Sequence, residues 1–131
     1  MAWELEIHHL DVRGVGDSTI IRVMDTGNAA NNRLILVDGG TSSATNRVHN
    51  YITGQFPGIN VNVIIVTHYD KDHYQGITDL LTRSGTNTCD NAIIYDPGQP
   101  PPKDEYYKQK AATVIGGKKQ KKSGEVGTII F

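Results

Sequence analysis

Apolar and polar side chains alternate over the first nine residues, and two further apolar segments follow. Such alternation with a period of two is typical of a half-buried strand. The apolar phase shifts at Leu10, so the sequence predicts a β-bulge near His9. Segments 18–24 and 33–37 are joined by a loop rich in Gly and Asn, which predicts a hairpin. The alternating set consists of Trp3, Leu5 and Ile7 against Glu4, Glu6 and His8.

Beyond residue 41 the pattern changes to helices that alternate with short apolar strands. Apolar residues at helical spacing predict a first helix, which Ser42 or Ser43 would cap at its N-terminus. Antiparallel strands followed by this alternation predict an α/β (α+β) domain in which helices cover one face of a mixed sheet. The predicted elements are a helix with Ala44, Val48, Tyr51 and Ile52, a strand over 61–67, a helix with Ile77, Leu80 and Leu81, a strand over 92–95, a helix over 104–114 and a last strand ending at Phe131.

Candidate metal ligands are concentrated directly after the apolar run 61–66, in His68, Asp70, Asp72 and His73. Imidazole and carboxylate are common protein ligands of divalent metals. They follow a core strand, and ligands of open α/β sheets bind at the carboxyl ends of strands. This one loop could therefore supply two ligands to each of two neighbouring metal ions. The alternative is a polar turn in which the aspartates only cap the following helix.

The His-x-Asp-x-Asp-His pattern of this loop resembles the signature of the metallo-beta-lactamase superfamily, in which histidine usually stands at the place of Asp70. The form with aspartate resembles the hydrolase domain of ComEC-like DNA-uptake competence proteins. Residues 10–18 are similar to the opening hairpin of that branch, and residues 34–40 resemble its second strand-end motif. The resemblance extends over residues 4–131 and implies the αββα sandwich fold.

The resemblance also implies roles for individual residues. His68 with Asp70, and Asp72 with His73, would each supply half of one metal coordination shell. Asp72 would be the catalytic residue, because it would also orient the attacking water. Asp38 would be a supporting residue whose hydrogen bonds hold the ligand loop in place. From the sequence alone, Asp38 could equally cap the helix that follows it.

The function implied by the resemblance is metal-dependent hydrolysis of a phosphodiester or other ester through a metal-bound hydroxide. The substrate could be a small molecule or a nucleic acid. A carboxylate at Asp70 makes the site harder, which favours manganese or magnesium while leaving zinc open. The alternative is a non-catalytic metal-binding or interaction module, left as a half-domain.

The resemblance further implies ligands that this sequence lacks, namely another histidine, a bridging aspartate and a final histidine. The 131 residues are therefore expected to form one domain, the truncated N-terminal half of the sandwich, with little or no activity alone. The inner face of its sheet would be open, and large open apolar faces are rare on monomers. We therefore expect a homo-oligomer, or pairing with a missing C-terminal half.

Composition and charge add few constraints. The net charge of −1 gives no overall attraction for nucleic acid, and no apolar run approaches 18 residues, so no membrane span and a cytoplasmic location are expected. The basic stretch Lys118–Lys122 could contact phosphates, but a solvated loop is the better interpretation. Tyr69 and Tyr74 flank the ligands and would line the mouth of the site, although Tyr69 could equally pack beneath the loop. The histidines without partners at ligand spacing are His8, His9 and His49.

Overall fold

A computed structural model describes residues 2–13, 16–83, 88–89 and 92–96 of the chain. Within these ranges the chain forms strands, helices and two short 3-10 turns. The strands are β1 (Trp3–His9), β2 (Thr19–Asp25), β3 (Arg33–Val37), β4 (Val63–Ile65) and β5 (Ile93–Tyr95), the helices are α1 (Thr45–Gln55) and α2 (Lys71–Thr82), and the 3-10 turns are Ala29–Asn31 and Ser42–Ala44.

The described strands form one mixed sheet in the order β1-β2-β3-β4-β5. The pairs β1–β2 and β2–β3 are antiparallel, whereas β3–β4 and β4–β5 are parallel. Parallel neighbours need a crossover connection, and α1 and α2 provide the two that this sheet requires. The predicted α+β architecture, a mixed sheet with helices on one face, is confirmed.

The core lies between the helices and one face of the sheet. Because side chains alternate across a strand, only every second residue of each strand reaches this core. In β1 the apolar residues lie on the other face, where Trp3, Leu5 and Ile7 are 54%, 62% and 66% exposed. The prediction of a half-buried strand was therefore wrong in its orientation. The fully buried core residues include Ile20, Leu34, Leu36, Ile64 and Ile94 of the sheet, Val48 and Ile52 of α1, and Tyr74, Ile77, Leu80 and Leu81 of α2.

The predicted bulge near His9 is also wrong. β1 and β2 keep one continuous register from Trp3 opposite Asp25 to His9 opposite Thr19. The apolar phase shifts because the regular strand ends at His9, after which Leu10 turns into the core. The Leu10 N–H still bonds to the Ser18 carbonyl at 2.9 Å, so the chain stays close to β2 as it leaves the sheet.

Neither Ser42 nor Ser43 caps α1 as predicted. Both lie in the 3-10 turn before the helix, and no side chain caps either the turn or α1. The Ser42 N–H instead bonds to Oε1 of Gln75 on α2, at 3.0 Å. A side chain from the neighbouring helix thus satisfies a backbone donor that a cap would otherwise take.

Three predicted features lie outside the described residues: the helix over 104–114, the basic stretch Lys118–Lys122 and the last strand ending at Phe131. The division of the sequence into one truncated domain stays a prediction. Among the described residues, no helix is long and apolar enough to cross a membrane.

Candidate metal centre

The predicted ligands lie where two neighbouring parallel strands end. β3 is followed by Asp38 and β4 by the loop from Val66 to Asp70. The Asp38 N–H bonds to the Ile65 carbonyl and the Val66 N–H to the Tyr95 carbonyl, each at 2.9 Å. These bonds hold the ends of β3, β4 and β5 at one edge of the sheet. The position of the site at a carboxyl edge is the one expected for an open α/β sheet.

Asp38 is buried and holds the ligand loop through its carboxylate. Oδ1 accepts the Thr67 N–H at 2.8 Å, while Oδ2 accepts the Thr67 hydroxyl at 2.6 Å and His73 Nδ1 at 2.9 Å. The backbone of Asp38 is left-handed, with φ of +57°. That conformation costs on the order of 1 kcal/mol in a non-glycine residue. These three donors belong to Thr67 and His73 and not to the helix that follows Asp38. Capping of that helix therefore does not explain this carboxylate.

The two histidines stand side by side, with their ring centroids 3.8 Å apart. His73 uses Nδ1 for Asp38, and its Nε2 lies 3.6 Å from Oδ2 of Asp72. His68 Nδ1 lies 2.9 Å from the Thr67 hydroxyl, and its Nε2 lies 3.3 Å from Oδ2 of Asp70. Each imidazole therefore turns Nε2 towards one carboxylate, His68 towards Asp70 and His73 towards Asp72.

The placement of each Nε2 opposite a carboxylate oxygen favours a proton or a metal ion between the two atoms. When Nδ1 carries the proton of a neutral imidazole, Nε2 presents a lone pair, and here each lone pair would face a carboxylate oxygen. Two electron-rich atoms so close repel each other unless a proton or metal ion lies between them. Imidazole and carboxylate together form a donor set that suits a divalent ion. In the described part of the chain, however, no three such side chains converge on one point, so the ligands form two pairs.

The alternative of a capped polar turn accounts for only part of the loop. Asp70 occupies the N-cap position of α2, but its side chain makes no capping hydrogen bond. Asp72 lies in the first turn of α2, where a carboxylate interacts favourably with the helix dipole. The helix thus stabilises a negative charge at Asp72, but helix capping gives no reason for Asp70 or the two histidines.

Glycines bring the start of α2 into direct backbone contact with the loop after β3. The Gly39 N–H bonds to the His73 carbonyl at 2.9 Å, and the Gly76 N–H bonds to the Gly40 carbonyl at 2.8 Å. A Cβ on Gly76 would lie 1.9 Å from the Gly39 carbonyl oxygen, which no side chain can tolerate. No periodicity or residue pattern in the sequence predicts this packing role of Gly76.

A second glycine, Gly16, supports the same helix start from the loop after β1. Its φ is +87°, and a Cβ there would lie 1.9 Å from the carbonyl oxygen of Asp72. The same carbonyl accepts the N–H of Asp17 at 3.3 Å. The backbone of Asp72 is therefore fixed from outside the helix, which restricts where its carboxylate can point.

Thr67 is the residue of this site that the sequence analysis overlooked. It has the most contacts with Asp38, through both its N–H and its hydroxyl. The available signal was a hydroxyl residue directly before the first histidine, next to a buried aspartate at a neighbouring strand end.

The tyrosines lie beneath the ligand loop and not at its mouth. Tyr69 and Tyr74 are both buried, and their rings meet edge-on with centroids 6.1 Å apart. Burial raises the pKa of Tyr69, and the charge and hydrogen bond of Asp96 raise it further. Tyr69 therefore stays a neutral packing residue. It packs beneath the loop.

Comparisons with known proteins agree with this fold. The sequence profile of the metallo-beta-lactamase superfamily matches residues 12–129. No curated protein matches the chain. Among solved structures, the crystal structure of a candidate metallo-beta-lactamase from Thermotoga maritima superposes with a TM-score of 0.52 at 16% sequence identity. The match covers 92% of this chain and 57% of that chain, so this chain spans little more than half the length of that relative.

Proposed function

We propose that this chain, which belongs to the metallo-beta-lactamase superfamily, is a metal-dependent hydrolase domain that acts on a phosphodiester or other ester. Domains of this superfamily are generally metal-dependent hydrolases. The observation that carries the proposal is the pairing of two imidazole Nε2 atoms with two carboxylates at 3.3 Å and 3.6 Å. Such a pairing is stabilised by a proton or a metal ion between the two atoms, and its donor atoms suit a divalent metal.

Each of the paired side chains has a role in this proposal. His68 with Asp70, and His73 with Asp72, would hold the metal, and Asp72 would also accept a hydrogen bond from the attacking water and so orient it. When bound, a divalent ion lowers the pKa of a coordinated water and polarises the ester oxygen. Asp38 would keep His73 in the orientation that ligation needs.

The carboxylate of Asp70 affects which metal ion the site would prefer and which branch of the superfamily the chain resembles. A hard oxygen donor where the superfamily usually has imidazole shifts preference towards manganese, although metal supply also decides which ion is loaded. Asp70 is exposed, so it can adjust to either manganese or zinc. The same substitution supports the finer assignment to the ComEC-like branch, whose substrates would be phosphodiesters.

A second candidate is a non-catalytic metal-binding or interaction module. It is favoured by the absence of any three converging metal ligands in the described ranges. Two protein ligands per ion leave the remaining positions to water, to substrate or to residues outside those ranges. An ion held in this way is bound weakly and positions an attacking water poorly, and misplacement of about 1 Å can cost on the order of a hundredfold in rate.

The two candidates are separated by measuring metal content and turnover on the same samples. The chain is loaded with Mn²⁺ or Zn²⁺, dialysed briefly and assayed with bis-p-nitrophenyl phosphate and p-nitrophenyl acetate. Asp72→Asn removes the proposed ligand, and Asp79→Asn serves as the control, because Asp79 lies on the same helix and bonds to Thr45.

We expect weak metal binding and slow turnover in the wild-type chain and in Asp79→Asn, with less bound metal and no turnover in Asp72→Asn. Metal binding without turnover on either substrate would support the non-catalytic module. If the wild-type chain binds no more metal than Asp72→Asn does, both candidates fail.

A further inference from the structure

The Thr67 hydroxyl lies between a carboxylate and an imidazole. Its Oγ1 is 2.6 Å from Oδ2 of Asp38 and 2.9 Å from Nδ1 of His68. We propose that Thr67 is a positioning residue, which sets the tautomer of His68 so that Nε2 faces the metal. Only the effect on metal binding rests on the proposed function, because the tautomer of His68 is a property of the metal-free chain.

The direction of these hydrogen bonds follows from the number of protons. An ionised carboxylate can only accept, so the Thr67 hydroxyl donates its single proton to Asp38. Towards His68 the same oxygen can therefore only accept. Nδ1 of His68 must carry the proton, and Nε2 of the neutral ring is left with a lone pair for a metal.

The same carboxylate oxygen fixes the other histidine directly. Oδ2 of Asp38 accepts from Nδ1 of His73 at 2.9 Å, so this ring also presents Nε2. One buried aspartate thus fixes both rings in the same tautomer, His73 by direct contact and His68 through Thr67. The aspartate is itself held in place, because the Ser18 hydroxyl donates to its carbonyl at 3.0 Å.

This arrangement predicts different results for two substitutions at Thr67. Thr67→Val keeps the shape of the side chain but removes the hydroxyl, so His68 loses the acceptor that holds its Nδ1 proton. Thr67→Ser keeps the hydroxyl and should behave as the wild type. His73 should keep its tautomer in both variants, because its bond to Asp38 does not pass through Thr67.

The tautomers can be measured by long-range ¹H–¹⁵N NMR on the metal-free chain, at a pH at which the spectra themselves show both rings to be neutral. The two rings are assigned with His68→Gln and His73→Gln. We expect both rings to carry the proton on Nδ1 in the wild type and in Thr67→Ser. In Thr67→Val, His68 should shift towards the Nε2–H form while His73 stays unchanged.

The control is Thr45→Val, which removes a hydroxyl bonded to Asp79, about two turns further along α2, and should leave both rings unaltered. A wild-type spectrum with the His68 proton on Nε2 would overturn the inference without any variant, so the test does not depend on Thr67→Val being folded. An unchanged His68 in folded Thr67→Val would overturn it as well.

Calorimetric titration with Mn²⁺ or Zn²⁺ provides the second measurement. Loss of a supporting hydrogen bond typically weakens metal affinity by about 10-fold to 100-fold, so we expect about a tenfold loss in Thr67→Val and recovery in Thr67→Ser. Equal affinity in folded Thr67→Val and wild type would refute the positioning role while the proposed function stood. If the wild type bound no metal but showed the expected tautomers, the proposed function would fail and the tautomer assignment would stand.

Discussion

Nδ1 of His73 lies 2.9 Å from Oδ2 of Asp38, which ties the first turn of α2 to the end of β3. The two residues are 35 positions apart in sequence, and the contact joins the crossover helix to the strand beside β4. Asp38 maintains this contact in a left-handed backbone conformation. Strain that persists at a buried residue is characteristic of functional sites, where the surrounding structure holds it in place.

The Asp38 carboxylate should matter for stability as well as for metal binding. Asp38→Ala leaves the Thr67 N–H, the Thr67 hydroxyl and His73 Nδ1 without their acceptor. An unsatisfied donor costs about 1–3 kcal/mol when buried, and these three are only part-buried, so water restores part of the loss. We expect the free energy of unfolding in urea to fall by about 3 kcal/mol.

Asp38→Asn is the matched variant for this test. Asparagine tolerates the left-handed conformation and keeps one carbonyl acceptor, so it should cost less stability than alanine. A loss in Asp38→Ala below about 0.5 kcal/mol, the size typical of surface substitutions, would contradict the central place given to Asp38.

Glycine substitutions offer a second test of the backbone contacts around α2. Gly76→Ala places a Cβ 1.9 Å from the Gly39 carbonyl oxygen, so the helix start must move away from β3. We expect a loss of about 3 kcal/mol or more in the free energy of unfolding, in the range of severe overpacking. Metal binding should weaken too, because Asp72 and His73 lie on the displaced turn.

Gly54→Ala is the control, because no atom lies within 4 Å of the added Cβ and Gly54 lies inside α1. Alanine is a better helix former than glycine, so this variant should gain about 0.5–1 kcal/mol. Chemical denaturation of both variants measures whether their free energies of unfolding change in these opposite directions. Similar stability changes in the two would show that the contact between Gly76 and Gly39 is not close in solution.

The sequence predicted much of this site because its signals were local. The span of β3, the apolar face of α2 and the ligand order from His68 to His73 all follow from periodicity and residue type over short ranges. The structure places Nε2 of His68 near Asp70 and Nε2 of His73 near Asp72, and the role of these pairs as metal ligands stays a prediction.

Other features depend on contacts between residues that are far apart in the sequence. Alternation showed that one face of β1 is apolar, but not that the helices cover the opposite face. The cap expected from Ser42 or Ser43 was replaced by Gln75, which is 33 residues from Ser42. The role of Thr67 likewise appears only when β3 and β4 lie side by side.

The loop between β2 and β3 should make stability depend on acid pH. The Asn31 amide and the Gly27 N–H donate to the Asp25 carboxylate, which holds the pKa of Asp25 below its ordinary value although burial opposes this effect. A group with a lowered pKa binds fewer protons when folded than when unfolded. Its contribution is therefore complete above the unfolded pKa, near 3.9, and is lost as pH falls through the lower folded value.

Asn31→Ala removes the largest cause of this shift. The stability difference between wild type and Asn31→Ala should be constant at neutral pH and should shrink as pH falls below about 4. Asn28→Ala is the control, since that side chain accepts the Ala30 N–H in the same loop and should give a difference with little pH dependence. Urea titrations across this range test the prediction, and a constant difference for Asn31→Ala would exclude the linkage.

The open face of β1 leads to a prediction about assembly. Trp3, Leu5 and Ile7 lie in a row on the sheet face that α1 and α2 do not cover, and β1 is the outermost strand of the described sheet. Exposed apolar patches beyond a few hundred Å² are rare on soluble monomers. We therefore expect two copies to associate through this face by a symmetric contact, in which each copy presents the same patch.

Trp3 is the single tryptophan of the chain, so its emission reports directly on this face. As protein concentration rises, we expect a blue shift in emission together with a dimer mass in light scattering coupled to size exclusion. Ile7→Lys places a charge in the contact and should give a monomer with red-shifted emission. Ile59→Lys is the control, because Ile59 is an exposed apolar residue outside the strands. If the wild type is a monomer at micromolar concentration and binds no apolar dye, the face of β1 is not open. The apolar patch would then have to be covered by other residues of the same chain.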